Sequence, residues 1–94
     1  MNTSEVLVAE WTREQILALF ADLAAGAEIT HVQLRCADGD NPVALQDAET
    51  AYRAGSAIAI QIRYRFNGEH WSDTLMTAEP SGVDVTKIIR SRLP

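Results

Sequence analysis

One cysteine, Cys36, stands among the 94 residues. A single thiol cannot close an intramolecular disulfide, and a chain without cross-links suits a reducing compartment. Long apolar runs are missing too. None approaches the ~20 residues that a membrane helix needs, and the opening stretch MNTSEVLVAEW has no basic region ahead of an apolar core, as a secretory signal would. The expectation is a cytoplasmic protein with no membrane contact. The common chemical signatures are also lacking: GxSxG, HExxH, CxxC, GxGxxG and GxxxxGK(S/T) do not occur, nor do internal repeats or low-complexity tracts. These absences point to a non-enzymatic protein with no cofactor and no metal.

Basic charge is the scarcer sign. Thirteen acidic residues against eight basic give a net charge of −5, which repels nucleic acid and anionic lipid at long range. The imbalance is confined to the first half: residues 1–50 carry −7 and residues 51–94 carry +2. A local cationic surface built from the second half therefore survives the overall acidity. One apparent cation site fails on inspection. Asp38, Asp40 and Glu49 stand at positions 1, 3 and 12 of a calcium-loop spacing, but Pro42 offers no side-chain oxygen at position 5 and Val43 replaces the glycine needed at position 6.

The strongest local pattern runs from Ser56 to Met76, SAIAIQIRYRFNGEHWSDTLM. Ile58, Ile60, Ile62, Tyr64 and Phe66 alternate with Ala57, Ala59, Gln61, Arg63 and Arg65, the period of a strand with one buried face. Asn67-Gly68 tolerates the positive φ that a two-residue type I′ turn demands. The register that follows pairs Phe66 with Glu69, Arg65 with His70, Tyr64 with Trp71, Ile62 with Asp73 and Ile60 with Leu75. Ile58, Ile60, Ile62, Tyr64, Phe66, Trp71 and Leu75 are then expected inside, and Gln61, Arg63, Arg65, His70, Ser72 and Thr74 outside. Asp73 is the misfit. It falls between Trp71 and Leu75 on the apolar face, where an unpaired carboxylate costs several kcal/mol; a Tyr64 or Trp71 donor, a helix N-terminus near Thr12, or an arginine reaching round the sheet edge could satisfy it.

The other segments complete the expected fold. Residues 4–9 form a short β-favouring arm. Thr12 and Gln15 make a capping box ahead of Ile16, Leu19, Phe20 and Leu23, with Trp11 placed to staple onto Ile16 and Gly26 as a left-handed stop. Residues 29–37 alternate, directing Val32, Leu34 and Cys36 inward and His31, Gln33 and Arg35 outward. Asp38 to Pro42 reads as a loop of turn formers. Residues 43–54 suit a second helix ended by Gly55, Ala78 to Gly82 a turn, and Val83 to Leu93 a third helix capped by Asp84, with a strand as its competitor. The order (β)αβαββα describes one α+β domain over residues 1–94: a two-layer sandwich with a small antiparallel sheet built on the 56–76 hairpin and helices on one face.

Two faces of function follow. The uncovered sheet face suits a small accessory or regulatory domain acting through a protein partner. Alternatively, Arg63, Arg65 and His70 offer donors for a carboxylate or phosphate, as a small-molecule or anion-binding module. A third expectation, an enzyme centred on Asp73 with His70, rests on the misplaced carboxylate alone. Nucleic acid is disfavoured because Tyr64, Phe66 and Trp71, which could stack on bases, are expected on the buried face.

Overall fold

The computed structural model describes residues 6–36, 39–77 and 85–93. Six antiparallel strands form one open sheet in the order β1-β6-β5-β4-β2-β3, and two helices lie against it. The strands are β1 (Val6–Thr12), β2 (Glu28–Cys36), β3 (Gly39–Pro42), β4 (Ala59–Phe66), β5 (Glu69–Thr77) and β6 (Val85–Leu93); the helices are α1 (Arg13–Gly26) and α2 (Leu45–Ala54). This is the α+β class expected, with both helices on one face.

The hairpin β4–β5 takes the register read from its alternation, from Phe66 opposite Glu69 to Ala59 opposite Met76. Asn67 and Gly68 have φ of 54° and 79°, as a type I′ turn requires. The capping box also forms: the Gln15 N–H donates to Thr12 Oγ1, and Gln15 Oε1 accepts from the Thr12 N–H at 2.9 Å. The core is then built from Ile16, Leu19, Phe20 and Leu23 of α1, Ala48 and Tyr52 of α2, and the inward strand residues Val32, Leu34, Ile60, Ile62, Tyr64, Leu75 and Ile88. Each large apolar side chain fully buried there contributes about 1.5–3 kcal/mol. Tyr52 spans the layers, its hydroxyl sharing a hydrogen bond of 2.8 Å with Thr86 Oγ1.

Several expectations are corrected. The last segment is strand, not helix: residues 85–93 pair with β5 on one side and β1 on the other. Val85, Ile88, Ile89 and Leu93 satisfy a helical spacing, but β-branched residues suit a pleated surface, and two flanking strands supply every backbone partner that a lone last helix would have to supply itself. Gly39–Pro42 is a short edge strand on β2, not a loop. α1 does not end on a left-handed glycine; Ala27, in extended conformation, closes it by donating to the Leu23 carbonyl. Ile58 and Phe66 are exposed, not buried, at 46% and 44%. Ile58 precedes the first residue of β4, so Ala57 takes the buried place, and Phe66 sits at the end of the hairpin, where only the last residue of α1, Gly26, lies beside it. The expected turn at 78–82 and cap at Asp84, like Asp38 of the calcium-loop spacing, lie outside the described residues.

Candidate functional site

The faces of the sheet follow from the register, because cross-strand partners point the same way. On the face away from the helices, Gln33, Gln61, Thr74 and Ile89 make one row across β2, β4, β5 and β6. Beside it runs His31, Arg63, Ser72 and Ser91, and beyond that Arg65, His70 and Leu93. On the other side lie Arg35, Ala59, Met76 and Lys87. No helix covers these rows among the described residues.

The charges on this face stand toward its margins, except Arg63 on β4, between His31 and Ser72. Arg35 Nε donates to Asp40 Oδ1 at 3.1 Å, which ties the β2–β3 edge. Arg65 is paired with Glu28. Arg63 is exposed and, among the described residues, makes no ion pair, while its carbonyl accepts from Thr30 Oγ1 at 3.0 Å where β2 carries a bulge. The row of Gln33, Gln61, Thr74 and Ile89 holds no Asp, Glu, Lys, Arg or His, and Gln33 Oε1 lies 3.0 Å from Nε2 of His31, in the row beside it, in one hydrogen bond. Ala59 is the smallest side chain between Arg35 and Met76, and its shortness leaves a shallow depression of about 140 Å³ bordered also by Gln33, Gln61 and Thr74.

Asp73 belongs to the opposite face. It is completely buried, and its carboxylate accepts from Arg90 Nε and Nη2, each at 2.8 Å, and from the Tyr64 hydroxyl at 3.1 Å. The arginine comes from directly across the β5–β6 ladder, not round the sheet edge, and its guanidinium also lies over the Trp11 ring at 5.9 Å. Burial, and after it the Asp73 carboxylate, push the Tyr64 hydroxyl well above its usual range, while the hydrogen bond from Arg90 to Asp73 raises the arginine further. No buried side-chain polar atom is left without a partner among the described residues.

The four residues singled out from the sequence therefore separate. Arg63, Arg65 and His70 share the outer face; Asp73 lies on the inner one and does not meet His70. The residue missed was Arg90, whose signal was the unexplained charge of Asp73. Among the described residues no three His, Cys, Asp or Glu side chains gather as a metal site, and no helix is long and apolar enough to cross a membrane. No protein-family model, no curated protein and no solved structure matches the chain.

Proposed function

We propose that this is a non-enzymatic accessory or regulatory domain of the cytoplasm that works by contacting another protein through the outer sheet face. The supporting observation is the distribution of charge on that face. An antiparallel sheet can leave one side to water, but a solvated side has no reason to keep a whole row across four strands free of charge. Here Gln33, Gln61, Thr74 and Ile89 form one row without charge across four strands, Arg63 alone carries charge in the row beside it, Arg35, Asp40, Arg65 and Lys87 stand further out, and Met76 is 42% exposed. Protein interfaces have this anatomy, with charged residues depleted at the centre, methionine and arginine enriched, and a polar rim. The test is affinity capture from the native cell with the parent and with a Gln61→Glu/Thr74→Lys variant shown to be folded by circular dichroism. A protein retained by the parent and lost by the variant is the expected result; equal retention removes the face from the account.

A second reading has one observation in its favour. His31, Arg63, Arg65 and His70 stand in two adjoining rows at one end of the face, a setting for a carboxylate or phosphate on a small molecule. Glu28 already engages Arg65, which leaves Arg63 as the principal donor. Titration with inorganic phosphate and with citrate, followed by the NMR resonances of Arg63 and His70, separates the two: saturable shifts there support the anion site, and none by millimolar ligand removes it.

A further inference from the structure

Basic charge is the scarcer sign in this chain, and the fold engages nearly all of it. Of the eight basic side chains, Arg35, Arg53, Arg65, Arg90 and Arg92 each hold a carboxylate of the same chain. Arg13 donates to the Arg53 carbonyl at 2.9 Å and lies over the Tyr52 ring. That leaves Arg63 and Lys87. Both are exposed, and among the described residues neither side chain makes a hydrogen bond or an ion pair; Glu10 stands opposite Lys87 on β1 without bridging to it.

Both unpaired cations lie on the outer face, one on each side of the uncharged row. Two strand spacings and four residues separate them, with Thr74 midway. That is about 10 Å across the strands and about 13 Å along them, so the two Cα atoms are about 16 Å apart. Strand side chains stand off the sheet, and a single phosphate or carboxylate cannot meet both at that span. The excess of acid lies on the opposite side. Glu14 and Asp22 of α1 and Asp47 of α2 are exposed and, among the described residues, carry no ion pair. An acidic surface is therefore repelled by the helices and drawn to the outer face.

We infer that the outer face takes an acidic protein surface carrying at least two carboxylates, one for Arg63 and one for Lys87, on either side of a contact centred on Thr74. The inference rests on the outer-face reading and adds the chemistry of the partner. Arg63 supplies a planar fork that suits a carboxylate in two hydrogen bonds, and Lys87 a point charge on a flexible stem. Between them Gln61, Thr74 and Ser72 offer uncharged donors and acceptors, so the partner's middle is uncharged as well. A nucleic acid also presents anions. Its dense charge is opposed by a chain of net −5, and no Phe, Tyr or Trp of the described residues shares this face for a base to stack on.

Lys87 is the only lysine of the chain, which makes the test direct. A zero-length carbodiimide joins an amine to a carboxylate, as an amide, only where the two touch. The full chain is coupled in native-cell lysate as the parent, with its side-chain amine at position 87, and as Arg63→Lys/Lys87→Arg, with that amine at position 63; peptide mapping separates both from coupling at the N-terminus. In parallel, a benzophenone side chain at position 61 reports whether the face touches a protein at all. The expected result is an amide from each amine to an Asp or Glu of the same protein that position 61 captures. Both cations are exposed, so Arg63→Glu/Lys87→Glu keeps the fold. It should bind the captured protein at least about tenfold more weakly at low salt, by a factor that shrinks as salt rises. A photo-adduct without an amide from either amine, an amide from Lys87 to Glu10 of its own chain alone, an adduct that nuclease destroys, or undiminished binding by the double Glu variant overturns the inference and leaves the outer-face contact standing. Absence of the photo-adduct removes both.

Discussion

Asp73 and Arg90 face each other across β5 and β6, joined by two hydrogen bonds of 2.8 Å, with the carboxylate fully buried and the arginine side chain 29% exposed. The inequality in exposure sets an inequality in cost. Removing Arg90 strands an ionised carboxylate with Tyr64 as its last donor, so Arg90→Ala is expected to cost about 3–5 kcal/mol. Removing Asp73 leaves a guanidinium that can turn to water, so Asp73→Ala is expected to cost about 1–3 kcal/mol. Urea denaturation of the two variants gives the order, and an apolar Asp73→Leu/Arg90→Met replacement should recover most of the loss, as buried pairs commonly allow.

Tyr64 gives this cluster a pH dependence. Burial, with the adjoining carboxylate, holds the folded hydroxyl's proton well past the ordinary value of 10.0, whereas the unfolded chain releases it near that value. Above about pH 10 the unfolded state thus binds fewer protons than the folded one, and stability, complete below that pH, falls as pH rises. Tyr64→Phe has no such proton to hold. Melting temperatures between pH 8 and pH 11 (about one unit past the ordinary tyrosine value) should decline more steeply for the parent than for the variant, and parallel profiles would count against the coupling.

The hairpin was legible because its instructions are local: one alternation, one Asn-Gly pair and a two-residue turn fix the register. β6 was not, because Val85, Ile88, Ile89 and Leu93 fit a helix as well as a strand, and the choice is made by two strands distant in sequence. The clue lay in Asp73. An inward carboxylate demands an inward cation, and reading the last segment with period two places Arg90 beside Thr86 and Ile88 on the helix side. β3 was obscured by its composition, since GDNP is a set of turn formers held straight by β2. On the outer face, Arg63, Arg65 and His70 could be read from alternation alone. That Gln33 adjoins Gln61 required the strand order.

The turn carries its own test. Gly68 has φ of 79° with nothing within 4 Å of an added Cβ, so conformation and not space excludes a side chain there. Gly68→Val should cost roughly 1 kcal/mol or more by forcing a β-branched residue into positive φ. An unchanged midpoint of thermal unfolding would contradict the turn.

Replacing both Arg63 and Arg65 by Gln should barely alter the fold. Arg65 loses an exposed pair with Glu28, and such pairs contribute ~0–1 kcal/mol. Binding by the captured partner should weaken by an amount that shrinks as salt rises, since exposed charges are screened. Isothermal titration at low and high salt measures both; a salt-independent loss would assign the arginines a packing role.

The most direct test of the outer-face proposal is site-specific photo-cross-linking in the native cell, with a benzophenone side chain at position 61 on the outer face or at position 46 on the exposed surface of α2. The account predicts a discrete protein adduct from position 61 and none from position 46. An adduct from position 46 alone, or from neither position, would contradict it.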